Sequence, residues 1–174
     1  MITEKDNSTV KDLAKTAEAA VNLLKKTNKT VACAESCTGG MLAENITSVS
    51  GASSVFEMGI VSYSCNIKNR ILGVKRETLE KYGAVSRFTA QEMAQCAREK
   101  AGSDIGVSVT GVAGPSMSEG KPVGLVFIAL SSKDGTAVKQ LEIENRGRRY
   151  IREYACAEVF KIIEGYLKNG TTEA

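Results

Sequence analysis

The chain has 174 residues, 43% apolar and 25% charged, with a net charge of +3, which suits a single domain over residues 1–174 with a core of its own. That weak charge and the lack of a dense Lys/Arg stripe with interleaved aromatics argue against a nucleic-acid partner, and no apolar run of about 18 residues is present to span a membrane. With no histidine anywhere, Ser-His-Asp and Cys-His catalysis, histidine general bases and histidine-ligated metals are all excluded.

The first segment, MITEKDNSTVKDL, is polar and lacks an apolar signal-peptide stretch, so a cytoplasmic location is expected. Val10, Leu13, Ala14, Ala17, Val21 and Leu24 recur at helical spacing. They predict a helix to about Lys26 with Ser8 or Thr9 as N-cap. Thr30 to Ala34 reads as a short buried strand, and Gly40 to Val49 as a helix. Gly59 to Ser64 is a second strand, rich in β-branched and aromatic residues. Two short helical pieces follow at about 66–72 and 75–81, then a turn at YGAVS and a helix over 89–101. Asp104 to Val109 is a third strand. Val123 to Leu130 and Ala137 to Ile143 are the fourth and fifth, joined by a hairpin signal at Asp134-Gly135. A closing helix covers 149–167. Helices alternate with strands except at that hairpin. The expectation is an α/β fold, a three-layer α/β/α sandwich around a mixed, largely parallel sheet.

The five cysteines, at 33, 37, 65, 96 and 156, form an odd, scattered set with no CxxC pair. Neither a disulfide framework nor a metal site is expected from them. Cys33, Cys96 and Cys156 read as small buried hydrophobes. No cofactor is implied.

In an open α/β sheet, ligands gather beyond the carboxyl ends of the strands. Three segments meet that condition: AESCTGG, YSCNIK and TGVAGPS. Ser36 stands at a strand-to-helix turn, either as a nucleophile with neighbouring N–H groups as an oxyanion hole or, with Thr38, as a helix cap. Gly39 and Gly40 allow close backbone approach there. A serine nucleophile without histidine needs another proton acceptor, and Lys68, directly or through Tyr63, is the chemically available one. Glu35 is either a partner for Lys68 or a capping acid. Cys37 is the rival nucleophile. TGVAGPS offers backbone N–H groups to a phosphate, and Arg148 and Arg152, one helical turn apart, form either a phosphate clamp or the cap of the last helix.

Five separated motifs, AESCTGG, GIVSYS…K, LGV…ETL…YGAVS…TA, SVTGVAGPS…KPVG and GRRYIR, together resemble the CinA-like family, the C-terminal domain of competence/damage-inducible protein A. The resemblance covers about 31–152. It implies a stand-alone nicotinamide mononucleotide amidohydrolase, which converts the carboxamide to a carboxylate and releases ammonia, and the same three-layer fold. It further implies Ser36 as nucleophile with Tyr63 and Lys68 as activating partners. Glu35, Cys37, Thr38, Gly39 and Gly40 fall in the nucleophile motif. Thr110, Gly111, Ala113 and Gly114 would line the nucleotide site, and Arg148 would approach the phosphate. A homo-oligomer is implied as well. The sequence departs from the family pattern at Cys65, where asparagine is common, and in Ser-Met-Ser-Glu-Gly after Pro115, where a Gly-Gly pair is usual. A non-catalytic nucleotide- or partner-binding module of the same fold is the alternative.

Overall fold

Five strands pair in the order β2-β1-β3-β4-β5, in a computed structural model that describes residues 13–170. The expected N-cap at Ser8 or Thr9 lies outside those residues. The strands are β1 (Val31–Glu35), β2 (Phe56–Val61), β3 (Ile105–Gly111), β4 (Leu125–Ser132) and β5 (Gly135–Glu142). β1 runs parallel to both β2 and β3, whereas β4 is antiparallel to β3 and to β5. The sheet is therefore mixed, with parallel and antiparallel pairings evenly divided.

The helices are α1 (Leu13–Thr27), α2 (Met41–Thr47), α3 (Cys65–Ile67), α4 (Arg76–Tyr82), α5 (Arg87–Ala101) and α6 (Arg148–Asn169), and a π-helical turn, Lys68–Leu72, continues α3. One face of the sheet is covered by α1, α2 and α6, whose Val21, Leu24, Ile46, Ile151 and Phe160 pack on Val31, Val107, Val109 and Ile128. The other is covered mainly by α5, with Met93 and Ala97 over Ala32 and Ala34, and Ala90 and Ala94 near Phe127 and Ala129. The central strands β1 and β3 are buried on both faces, hence their unbroken apolar runs. Alanine and glycine on the α5 side let that helix lie close to the sheet.

The second strand ends three residues before its expected position. Val61 is its last member, and Ser62, Tyr63 and Ser64 form a loop. β-branched and aromatic composition could not separate strand from loop here, because the loop side chains are held by the site rather than by a ladder.

Register places the site. Glu35 lies beside Val61 on one side and Val109 on the other, so Ser36 and Ser62 leave the sheet at the level of Thr110, which stays paired with β4. Ser36 N–H still bonds Val109 O (2.9 Å) and Ser62 N–H bonds Glu35 O (2.8 Å), which carries strand geometry one residue into each loop.

The tightest approach between layers is at Gly106 on β3. A Cβ there would lie 2.2 Å from Ala94 O and 2.7 Å from Arg98 N of α5. Overpacking of this kind typically costs about 1–3 kcal/mol. Gly106→Ala is expected to lower the unfolding free energy by that amount, read as a lower urea midpoint at unchanged slope, and an unchanged midpoint would show that α5 can move away freely.

Candidate active site

The turn after β1 is organised by a buried carboxylate. Glu35 Oε2 accepts from the N–H groups of Gly40 and Leu42 (both 3.0 Å), and Oε1 accepts from Ala43 N–H (2.8 Å). These are orphan donors at the start of α2, where the helix dipole also favours negative charge. Glu35 is thus the capping acid of the two readings offered by the sequence, and it makes no bond to Lys68. Its carboxylate is consumed by the backbone, so it does not line the pocket. Gly40 precedes α2 at φ 98°, a left-handed conformation that L side chains adopt at a cost. Neither Ser36 nor Thr38 caps the helix through its side chain; the role falls to Glu35.

With the cap elsewhere, the Ser36 hydroxyl is free for another partner. Lys68, fully buried, donates from Nζ to Ser36 Oγ (2.8 Å), to Ser62 O (2.6 Å) and at the limit to Tyr63 O (3.5 Å). No carboxylate among the described residues hydrogen-bonds this amine. Burial holds its pKa below the ordinary 10.5, opposed only by more distant thiols and Glu119. A neutral lysine amine has two N–H bonds and one lone pair. If the two carbonyls of Ser62 and Tyr63 take the N–H bonds, the lone pair faces the Ser36 hydroxyl. That is the arrangement of a general base on its nucleophile.

Tyr63 contributes differently from the relay expected. Its ring is 60% exposed, and its hydroxyl accepts from Arg148 Nη2 (2.9 Å) while Arg148 Nη1 donates to Gly114 O (2.8 Å). The link from Tyr63 to Lys68 runs through its backbone carbonyl. Cys37 is buried, and burial pushes its thiol up to about 12, so it is a poor source of thiolate. Among the described residues the N–H groups of Cys37 and Thr38 bond no oxygen, the former meeting only its own thiol, whereas Ser36 N–H is committed to Val109. The oxyanion donors available beside Ser36 are therefore those of residues 37 and 38. Arg152 Nη2 grips Thr38 O from α6, fixing the peptide plane of this turn. Arg152 is thus spent inside the protein, and only Arg148 of the expected pair reaches the pocket.

That pocket has a volume near 330 Å³. Ser36, Cys37, Tyr63 and Cys65 line it together with Gly111, Ala113, Gly114 and Arg148 and with Ala84, Val85, Ser118 and Glu119. Thr110 does not line it, since Thr110 is buried with its hydroxyl bonded to Ala84 O (2.7 Å). The sequence reading missed Ser62, Ala84, Val85, Ser116, Ser118 and Glu119. Of these, Ser116, Ser118 and Glu119 left a signal, in the unusual loop after Pro115. A larger cleft of about 510 Å³ between Pro122–Leu125 and β5 holds no nucleophile and lies apart from this chemistry.

The family model for the CinA C-terminal domain matches residues 13–167. The chain belongs to that family. It is 48% identical over 153 residues to a protein named as competence-damage inducible from Caldanaerobacter subterraneus, and 46% identical over 147 residues to one so named from Streptococcus pneumoniae. It covers only 37% and 35% of those relatives' lengths. Among solved structures, a competence/damage inducible protein from Agrobacterium tumefaciens matches with a TM-score of 0.86 and 35% identity, over 91% of this chain and 96% of that one. A CinA superfamily protein from Klebsiella pneumoniae matches with a TM-score of 0.87 at 26% identity, over 90% and 98% of the respective chains. Among the described residues, no helix is long and apolar enough to cross a membrane.

Replacing Glu35 tests the frame of the site. Loss of three charge-assisted backbone bonds at a helix start corresponds to about 2–4 kcal/mol. Glu35→Ala is expected to lower the denaturation midpoint accordingly, with Glu35→Gln intermediate. Equal stability of all three proteins would refute the capping role.

Proposed function

We propose that the protein is a serine amidohydrolase that deamidates nicotinamide mononucleotide to nicotinic acid mononucleotide and ammonia. The observation that carries this reading is the Lys68 amine, buried without a carboxylate partner, 2.8 Å from Ser36 Oγ. The family resemblance supplies the substrate. In support, one pocket is lined both by the Ser36 hydroxyl and by a guanidinium, Arg148, beside the glycine-rich loop of Gly111 and Gly114. Carboxamide and phosphate need those two chemistries, separated by a sugar and a ring.

In the first step the Ser36 proton passes to the Lys68 lone pair as Ser36 Oγ bonds to the carboxamide carbon. The carbonyl oxygen becomes an oxyanion that accepts from the N–H groups of Cys37 and Thr38. Donors of this kind typically lower the barrier by about 3–4 kcal/mol. Collapse of the intermediate breaks the C–N bond, and Lys68 returns its proton to the departing nitrogen, so that ammonia leaves and an acyl ester remains on Ser36. Water then gives a proton to Lys68 and attacks the ester, and Lys68 returns that proton to Ser36 Oγ. Arg148 binds the phosphate and, through its bond to Tyr63 OH, orients the loop whose carbonyls hold Lys68.

Ammonia release from nicotinamide mononucleotide is the direct test. Ser36→Ala is expected to abolish turnover, and Lys68→Arg to do the same, because a guanidinium does not deprotonate in this range. The pH profile carries a sign. Lys68 must be neutral to accept a proton, and burial lowers its pKa, so kcat/KM should rise with pH and level off below 10.5. A profile falling over that range, or full turnover in Ser36→Ala, would overturn the mechanism. Tight binding of the nucleotide without ammonia release would favour the non-catalytic binding module.

A further inference from the structure

One wall of the pocket is made from two loop segments far apart in the chain. The first is the corner between α4 and α5, Gly83 to Ser86. The second is the loop after the Gly114-Pro115 peptide. They meet through Glu119. Its carboxylate accepts from Ala84 N–H at Oε1 (3.1 Å) and from Val85 N–H at Oε2 (3.2 Å), and Lys121 Nζ donates to Oε2 (3.3 Å). Lys121 Nζ also donates to Tyr82 O (3.1 Å), so both side chains of the loop reach across to the same corner.

The backbone is shaped for this reach. Ser118 and Lys121 pair as a two-residue hairpin, with Glu119 at φ 53° and Gly120 at φ 69° between them. Positive φ at both central positions is a type I′ turn, and for glutamate that conformation is uncommon. The corner is shaped to match. A Cβ on Gly83 would stand 2.4 Å from Glu119 Oε2 and 3.0 Å from Lys121 Nζ, so the absence of a side chain there admits the carboxylate.

We propose that Glu119 is a positioning residue for the substrate pocket. It latches the 116–121 loop onto the 83–86 corner and so fixes the distance between two parts of the pocket wall. Glu119 makes no hydrogen bond to the catalytic pair, which is held by β1 and the turns after β2, and its charge reaches Lys68 only at longer range. The latch therefore governs how well the pocket encloses a ligand rather than how fast bonded substrate reacts. Ala84, Val85 and Ser118 line the pocket beside it, and releasing Glu119 would free two of their N–H groups and let the wall widen. The kinetic consequence rests on the amidohydrolase reading; the latch itself does not.

Two measurements on the whole chain separate these points. Amide hydrogen exchange at Ala84 and Val85 is expected to quicken at least tenfold in Glu119→Ala, and less in Glu119→Gln, which keeps one acceptor. With nicotinamide mononucleotide as substrate, Glu119→Ala is expected to raise KM about tenfold while kcat stays within threefold, and Glu119→Gln to restore part of the loss. Unchanged exchange at both amides would overturn the latch. Quickened exchange with an unchanged KM, or an effect confined to kcat, would overturn the positioning role. If the wild type released no ammonia, the amidohydrolase reading would fall. The latch would then be decided by amide exchange alone.

Discussion

A lysine amine buried without a counter-charge is the constraint on which the rest of this structure depends. Burying a charged ammonium in a poorly polar site costs free energy that hydrogen bonds to carbonyls only partly offset. Burial shifts the balance toward the neutral amine, and an amine 2.8 Å from a hydroxyl is placed as the base that the proposed mechanism needs. The two carbonyls that take its N–H bonds come from Ser62 and Tyr63. They can do so only because β2 ends at Val61 and the chain turns there rather than continuing in the ladder. The π-helical turn at Lys68 belongs to the same arrangement, since it carries the side chain from the surface helix into the end of the sheet.

The Ser36 hydroxyl is kept available by a division of labour. A serine at a strand-to-helix turn normally spends its hydroxyl on the helix cap. Here the preceding glutamate takes that work with three backbone N–H bonds, and Arg152 holds the Thr38 carbonyl from α6. Ser36 is left with its backbone in the sheet and its hydroxyl on Lys68. α6 thus reaches the site twice, at Arg152 beneath the turn and at Arg148 over the pocket. A helix far away in sequence thereby ties the turn after β1 to the loop after β3.

Much of this was legible in the residues. Element types and order follow from periodicity, and the mixed sheet follows from alternation interrupted by one hairpin. Ser36 and Lys68 stood out because the chain has no histidine, so a serine at that turn had few possible bases. The choices left open were those that depend on direction. Whether Glu35 faces Lys68 or the helix, and whether the Tyr63 hydroxyl faces Ser36 or Arg148, is decided by side-chain rotation and not by spacing. Thr110 looked like a wall residue from its motif, yet strand pleat turns it toward Ala84. Cys37 is a strong nucleophile by type and a weak one by burial.

The sequence by itself determined the fold class, the three loops that gather at one edge of the sheet, and the chemistry available to them. Those are properties of local pattern and of residue type, including the types that are absent. Only the tertiary structure decided which groups meet. Lys68 lies 32 residues from Ser36, and Glu119 lies 34 and 35 residues from the two amides it binds. Contacts over such separations are set by register between strands and by how far each loop reaches. The partners at 84 and 85 are backbone N–H groups, which every residue except proline carries, so nothing in the amino-acid letters marks them.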